Sequence, residues 1–121
     1  MVEKKSSKVS IIINCFNGQK YLRNCIDSVL NQSFKNWEII FWDNRSTDKS
    51  YEIIKSYKDK RIKYFKAKNH TLLYKARNLA LKKTNGKFIT FLDVDDFWDK
   101  DNLKIKVKSL KNTKCSFAYS N

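Results

Sequence analysis

Apolar and polar positions along this chain of 121 residues switch between two periods. Residues 8–14 (KVSIIIN) are a short apolar run rich in β-branched side chains, the pattern of a buried strand. From residue 19 to 32 the apolar positions are Tyr21, Leu22, Cys25, Ile26, Val29 and Leu30, a stripe at helical spacing. Residues 37–42 (WEIIFW) predict a second strand. Ser46, Thr47 and Asp48 are residue types that cap helix N-termini, and Ile53, Ile54 and Tyr57 give the following helix an inward face. Residues 61–66 (RIKYFK) alternate apolar with charged, which suits a strand at a sheet edge. Leu72, Ala76, Leu79 and Ala80 predict a helix over 72–83, and Gly86 stops the connection after it. Residues 87–92 (KFITFL) read as a fourth, buried strand. Residues 99–111 read as a lysine-rich amphipathic helix carrying Leu103, Ile105, Val107 and Leu110, and 115–119 as a fifth strand. Strand and helix alternate without a break. That pattern predicts an α/β fold: a Rossmann-like α/β/α sandwich with a mostly parallel sheet and helices on both faces. Residues 1–7 are expected to be a flexible N-terminus ahead of one domain over 8–121.

Composition narrows the class. Hydrophobic residues make up 41% of the chain, enough for a core, while two glycines, no proline and no repeat exclude collagen-like and low-complexity readings. Apolar runs reach only about six residues, far short of the roughly 20 of a membrane span. Neither a span nor a signal peptide is expected. Cys15, Cys25 and Cys115 lack metal or redox spacing and read as free thiols in a reducing cytosol. The net charge of +14 is unevenly placed. Residues 53–88 hold twelve basic and one acidic side chain, whereas residues 89–101 hold five Asp and one Lys. A basic stretch beside an acidic knot suggests an anionic ligand that needs a cation. Solvated lysine faces account for much of the excess equally well, and a basic module for nucleotide, nucleic acid or an anionic membrane is the competing class.

In an open parallel sheet, ligands bind outside the carboxyl ends of the strands. Polar clusters recur at four such ends: 14–18 (NCFNG), 43–45 (DNR), 69–71 (NHT) and 93–96 (DVDD). Asp93, Asp95 and Asp96 repel one another unless solvated or gathered around a divalent ion, and hard oxygen donors suit Mg²⁺ or Mn²⁺. An exposed acidic turn fits the same residues. Asp43 either accepts a hydrogen bond from a ligand N–H, such as a uracil ring offers, or satisfies helix amides. Phe16 either stacks on a base or joins the core. Arg77, lone among lysines, suits a diphosphate or a partner in DVDD. His70 has no nucleophile motif beside it. The chain has no GxxxxGK[ST] and no GxGxxG, which removes P-loop and dinucleotide readings.

The blocks VSIIINCFNGQKYLRNCIDSVLNQSFKNWEIIFWDNRSTDKS, YKARNLAL and GKFITFLDVDDFW, in that order and spacing, resemble a family-2 glycosyltransferase of the GT-A fold. The resemblance covers about residues 8–103 and is closest in kind to bacterial enzymes of surface-glycan synthesis. It implies inverting, metal-dependent transfer of a sugar from a nucleotide diphosphate, UDP-sugar favoured, to a glycan or lipid-linked acceptor. By the same resemblance Phe16 and Asn17 sit by the nucleotide base, Asp43 contacts it, Arg77 lies near the diphosphate, and Asp93, with Asp95 in the DxD, also belongs to the nucleotide-binding set. Asp95 is the first metal ligand, with Asp93 and Asp96 beside it, for Mg²⁺ or Mn²⁺. A cytoplasmic setting is implied, peripheral on the inner membrane, with no specific nucleic acid partner.

Departures accompany the likeness. Asn14-Cys15 stand where the family often has Pro-Thr or Pro-Val, and Thr71-Leu72-Leu73-Tyr74 stand where many members have a glycine-bearing loop. The family's domain also continues past the fifth strand, and the part beyond carries the acceptor site and the general base. The expectation is therefore of a nucleotide-binding half, apparently truncated, that binds donor and by itself transfers nothing. No residue is assigned as the base.

Overall fold

The computed structural model describes residues 8–113 and 117–119. The expectations for residues 1–7 and for Cys115 lie outside them. Nine elements follow one another: β1 (Val9–Cys15), α1 (Leu22–Leu30), β2 (Trp37–Asp43), α2 (Ser50–Lys55), β3 (Ile62–Lys66), α3 (Leu73–Leu81), β4 (Phe88–Phe91), α4 (Asn102–Thr113) and β5 (Phe117–Tyr119). They build one sheet of order β3-β2-β1-β4-β5, and every pairing in it is parallel. The predicted order of elements stands, and β3 lies at an edge as its charges require.

One boundary differs. The second helix begins at Ser50, not behind Ser46. Ser46 and Thr47 instead lie in a loop laced to the segment after β1, and Asp48 Oδ1 accepts from the Ser50 amide at 2.9 Å. Capping residue types marked the place correctly, but the hydrogen bonds they make are mostly across loops rather than along the helix.

Period-two alternation sorts the strands onto two cores. Val9, Ile11, Ile13 and Cys15 of β1 face α1, α2 and α4 together with Trp37, Ile39 and Phe41 of β2. Ile12, Ile40 and Trp42 face the other way, onto Ala76 and Ala80 of α3. Small residues on α3 let that helix lie close against the sheet. The steps β1→β2→β3 move one way across the sheet with their helices on one face. The step β3→β4 moves back with its helix on the other face, the same hand of crossover as β1→β2, whereas β4→β5 continues that way with α4 on the first face. The order reverses between β1 and β4, and a crevice opens at their carboxyl ends.

A charged residue closes the opposite end. Glu38 is 1% exposed. It accepts from Ser10 Oγ at 2.5 Å, the Asn85 amide at 2.7 Å and Lys63 Nζ at 2.7 Å. Burial alone lifts its carboxyl, but Lys63, Ser10 and Asn85 together hold it below its ordinary value. Ser10 Oγ accepts in turn from the Gly86 amide at 2.8 Å. A Cβ on Gly86 would stand 2.7 Å from the Ser10 nitrogen and 2.8 Å from the Lys8 oxygen, so only glycine permits this approach of backbone to backbone.

Two stability predictions follow from this end of the sheet. Glu38→Gln removes the charge Lys63 faces and should cost about 2–3 kcal/mol in a denaturant melt at neutral pH. Because the fold depresses the Glu38 pKa, its contribution is complete above the ordinary value of 4.5 and is lost as pH falls through the lower folded value. The acid limb of the stability profile should therefore be shallower in Glu38→Gln. Gly86→Ala should destabilise by about 1–3 kcal/mol by overpacking; an unchanged midpoint would show that the contact relaxes freely.

Candidate active site

Four loops leave the carboxyl ends of β1, β2, β3 and β4, and parallel pairing brings all four to one edge. The first two are stitched together. Asn17, with φ at 55°, accepts on Oδ1 from the Thr47 amide at 2.7 Å and the Asp48 amide at 3.2 Å. Ser46 Oγ accepts from the Asn17 amide at 2.8 Å, Ser50 Oγ from the Gly18 amide at 3.0 Å, and Asp48 Oδ2 from the Gln19 amide at 3.0 Å. Gln19 Oε1 returns the exchange from the Lys49 amide at 2.9 Å. Asn17 thus acts here as a brace between loops.

Asp43 is a second brace. It is 1% exposed, and both carboxylate oxygens are engaged, Oδ1 by the Ser46 amide at 2.8 Å and Oδ2 by the Tyr64 hydroxyl at 2.6 Å. Burial and this carboxylate together push the Tyr64 phenol well above its ordinary pKa. The position in the strand explains the orientation. Asp43 pairs with Cys15, whose side chain belongs to the core under α1 and α2, so the carboxylate is thrown to that face.

The next residue points elsewhere. Asn44 Nδ2 donates to the Thr71 oxygen at 2.7 Å and its Oδ1 accepts from the Thr71 amide at 3.0 Å. Its own carbonyl lies 3.0 Å from His70 Nδ1. This pins the loop after β3 over the end of β1, and a pocket of about 270 Å³ lies beneath it. Phe16 and His70 stand at its wall with ring centroids 4.4 Å apart and planes tilted by 57°. Phe16 is 49% exposed, so it is a surface ring and not a core residue. Leu72 and Leu73 add an apolar side. Two buried oxygens among the lining residues, Asn14 Oδ1 and Thr71 Oγ1, have no hydrogen-bond partner. Buried polar atoms are nearly always paired, and such an exception inside a pocket is suited to a ligand donor. Sequence reasoning placed Asn14, Asn44, His70 and Thr71 at strand ends without choosing them. The parity of the strand position was the available signal.

On the β4 side, Arg77 Nη2 reaches Asp93 Oδ1 at 3.3 Å, and its guanidinium lies 5.2 Å from the Phe91 ring centroid. Of the two partners expected for Arg77, the acidic one is present. Both side chains are well exposed, so the pair is worth at most about 1 kcal/mol and leaves either group free to exchange partners. The Asp96 amide donates to the Asp93 oxygen at 2.9 Å, which turns the chain tightly. Val94 points in and packs on the core while Asp93 and Asp95 point out. A Cβ on Gly18 would come within 2.9 Å of Val94, so Gly18 is what lets DVDD lie against the loop after β1.

Among the described residues no three His, Cys, Asp or Glu side chains form a ready metal cage. A Mg²⁺ or Mn²⁺ site of one or two carboxylates, completed by water and phosphate, needs no such cage, and Asp95 and Asp93 fit that donor set. Asp96 Oδ1 is held by the Phe97 amide at 2.8 Å, which leaves it less free. A larger hollow of about 770 Å³ between α1 and residues 97–100 contains none of the predicted site residues.

Known proteins share this architecture. Over 113 residues the chain is 39% identical to the Escherichia coli UDP-Glc:alpha-D-GlcNAc-diphosphoundecaprenol beta-1,3-glucosyltransferase WfaP, covering 93% of this chain and 45% of that protein. S. aureus TarS 1–349, solved in complex with UDP-GlcNAc, superposes with a TM-score of 0.82 at 30% identity over 87% of this chain and 31% of its own. The mannosyltransferase PcManGT from Pyrobaculum calidifontis, solved with GDP-Man and Mn²⁺, has a TM-score of 0.78 at 22% identity over 84% and 32%, a likeness of fold. The chain spans less than half the length of the curated relatives it matches. The sheet is thus the GT-A fold. The profile of glycosyl transferase family 2 matches residues 10–121, nearly the whole chain, and the protein belongs to that family.

Proposed function

We propose that these residues form the donor-nucleotide half of an inverting glycosyltransferase that takes a UDP-sugar, working on the cytoplasmic side of a membrane on a glycan or lipid-linked acceptor. The observation that carries the reading is the pocket at the ends of β1 and β2. It offers an aromatic wall, the exposed Phe16 ring with His70 tilted against it, and two unpartnered oxygens, Asn14 Oδ1 and Thr71 Oγ1. A pyrimidine ring with an imide N–H is flat and carries a donor for such an acceptor. Leaving that donor and acceptor unpaired costs about 1–3 kcal/mol, enough to select among bases. The UDP-GlcNAc complex of TarS and the UDP-Glc and diphosphoundecaprenol in the name of WfaP support the same substrate classes.

In this reading the base lies against Phe16, with Asn14 and Thr71 reading its edge. Asn17 and Asp43 act one step back, holding the two loops that shape the pocket. Arg77 exchanges Asp93 for the diphosphate, as its exposure allows. Asp95, with Asp93 and then Asp96, would hold Mg²⁺ or Mn²⁺. When bound, such an ion supplies charge neutralisation for the departing diphosphate. The group that takes the acceptor's proton is assigned to no residue here.

Two measurements test this. In thermal-shift titrations with UDP, GDP and CDP, each with and without Mn²⁺, only UDP with Mn²⁺ should raise the melting temperature, and Asp95→Asn should abolish the rise. A clean melt that no nucleotide moves would sink the donor-site reading. In calorimetric titration Asn14→Ala should weaken UDP binding about tenfold, roughly one hydrogen bond, with the ligand-free melt unchanged. Asp43→Asn should do the reverse in kind, lowering the ligand-free melt first. If Asp43→Asn weakens UDP without touching stability, Asp43 contacts the base directly.

A further inference from the structure

The sheet face that carries α3 holds a feature the nucleotide site does not use. Among the described residues α3 is the one helix whose side chains pack there, since α1, α2 and α4 contribute to the opposite core. Beside α3, toward the β3 edge, a cleft of about 410 Å³ opens. Its floor is apolar: Trp42 and Phe65, stacked at 6.3 Å and 25°, with Leu79 of α3 alongside. Its rim is cationic: Lys66 and Lys68 at the end of β3, and Lys82 and Lys83 after α3. Lys83 Nζ lies 5.3 Å from the Phe65 ring centroid. None of the four lysines has an acidic partner among the described residues. Asp59, the one acid between residues 53 and 88, is held by Arg61 at 2.7 Å.

The same surface continues along α3. Leu72, Leu73 and Tyr74 are 69%, 51% and 66% exposed. These three neighbours stand at the start of the helix, and Lys75, Asn78 and Lys82 are exposed farther along it. Uncompensated cations around an apolar floor, next to a run of exposed leucine and tyrosine, match an amphiphile that is anionic at its head and apolar behind it. Nucleic acid is the poorer match. Trp42, a ring that would stack on bases, is 7% exposed and lies in the floor, and two of the three large apolar side chains exposed at the start of α3 are leucines.

We propose that this α3 face is a docking surface for an anionic phospholipid bilayer. Lys66, Lys68, Lys82 and Lys83 meet headgroup phosphates, and the Leu72–Tyr74 run enters the interface. α3 then lies flat on the membrane, which brings the pocket walled by Leu72 and Leu73 close to its surface. The inference uses neither Asn14 nor the carboxylates after β4; it shares Leu72 and Leu73 with the donor pocket, so its test is made without nucleotide and on the lysines alone.

Vesicle sedimentation of the full chain, without nucleotide, tests it. Phosphatidylcholine vesicles should not carry the chain down. Vesicles that include phosphatidylglycerol should, with binding that weakens as salt rises. Charge reversal at Lys82→Glu with Lys83→Glu should lower partitioning by at least about tenfold, since each lysine near such a surface contributes on the order of tenfold or a little less. Lys104→Glu with Lys108→Glu, an equal change of net charge on α4, should lower it by no more than a few-fold. Equal loss in the two double variants would reduce the effect to net charge and overturn the proposal. Absent binding, or equal binding to neutral vesicles, would overturn it as well. So would an oligonucleotide that strips the chain from anionic vesicles at equal phosphate concentration, which would assign the cleft to nucleic acid.

Discussion

Seven consecutive parallel pairs join β1 to β2, from Val9 with Trp37 to Cys15 with Asp43, and the rest of the molecule is arranged by that register. Because successive side chains leave a strand on opposite faces, the register decides for every residue whether it belongs to the α1 side or the α3 side. It puts Cys15 and Asp43 on one face and Asn14 on the other. It also ends both strands at the same height, so the loops that follow meet and exchange hydrogen bonds at Asn17, Ser46 and Asp48. A one-residue slip would turn the buried Glu38 cluster and the pocket at Asn14 inside out together.

The two ends of the sheet use polar groups in opposite ways. At the amino end, Glu38 is surrounded by donors and Gly86 presses backbone on backbone. At the carboxyl end, most loop groups satisfy one another, but Asn14 Oδ1 and Thr71 Oγ1 are left over. A protein stabilises itself where its polar groups are complete and binds where they are not. The carboxylates after β4 follow the same logic. Val94 anchors the turn in the core, Asp93 and Asp95 are exposed, and Arg77 pairs with Asp93.

Charge adds a direction to this layout. The acidic turn lies after β4, while four lysines rim the cleft between β3 and α3. A single helix on that face leaves Trp42 and Phe65 bordering an open cleft instead of a closed core. The exposed start of α3 adjoins the pocket at the end of β1, since Leu72 and Leu73 line it.

Much was legible from residue order alone. The two apolar periods were enough for the alternation of strand and helix, the edge position of β3, and the gathering of Phe16, Asn44, His70 and DVDD at one edge, because periodicity and parallel topology are properties of residue order. The motif blocks led to the family. What residue order left open was which of two adjacent polar residues faces the ligand. Asp43 and Asn17 have the right chemistry for a base, and in the folded chain they also bond Ser46, Tyr64, Thr47 and Asp48, which braces the loops. Asn14 and Thr71 became candidates only once neighbouring strands showed them buried and unpaired. The physical reason is that a side chain's chemistry is local, whereas many of its hydrogen-bond partners come from segments 21 to 30 residues away, across a strand pairing that only the folded sheet brings into contact.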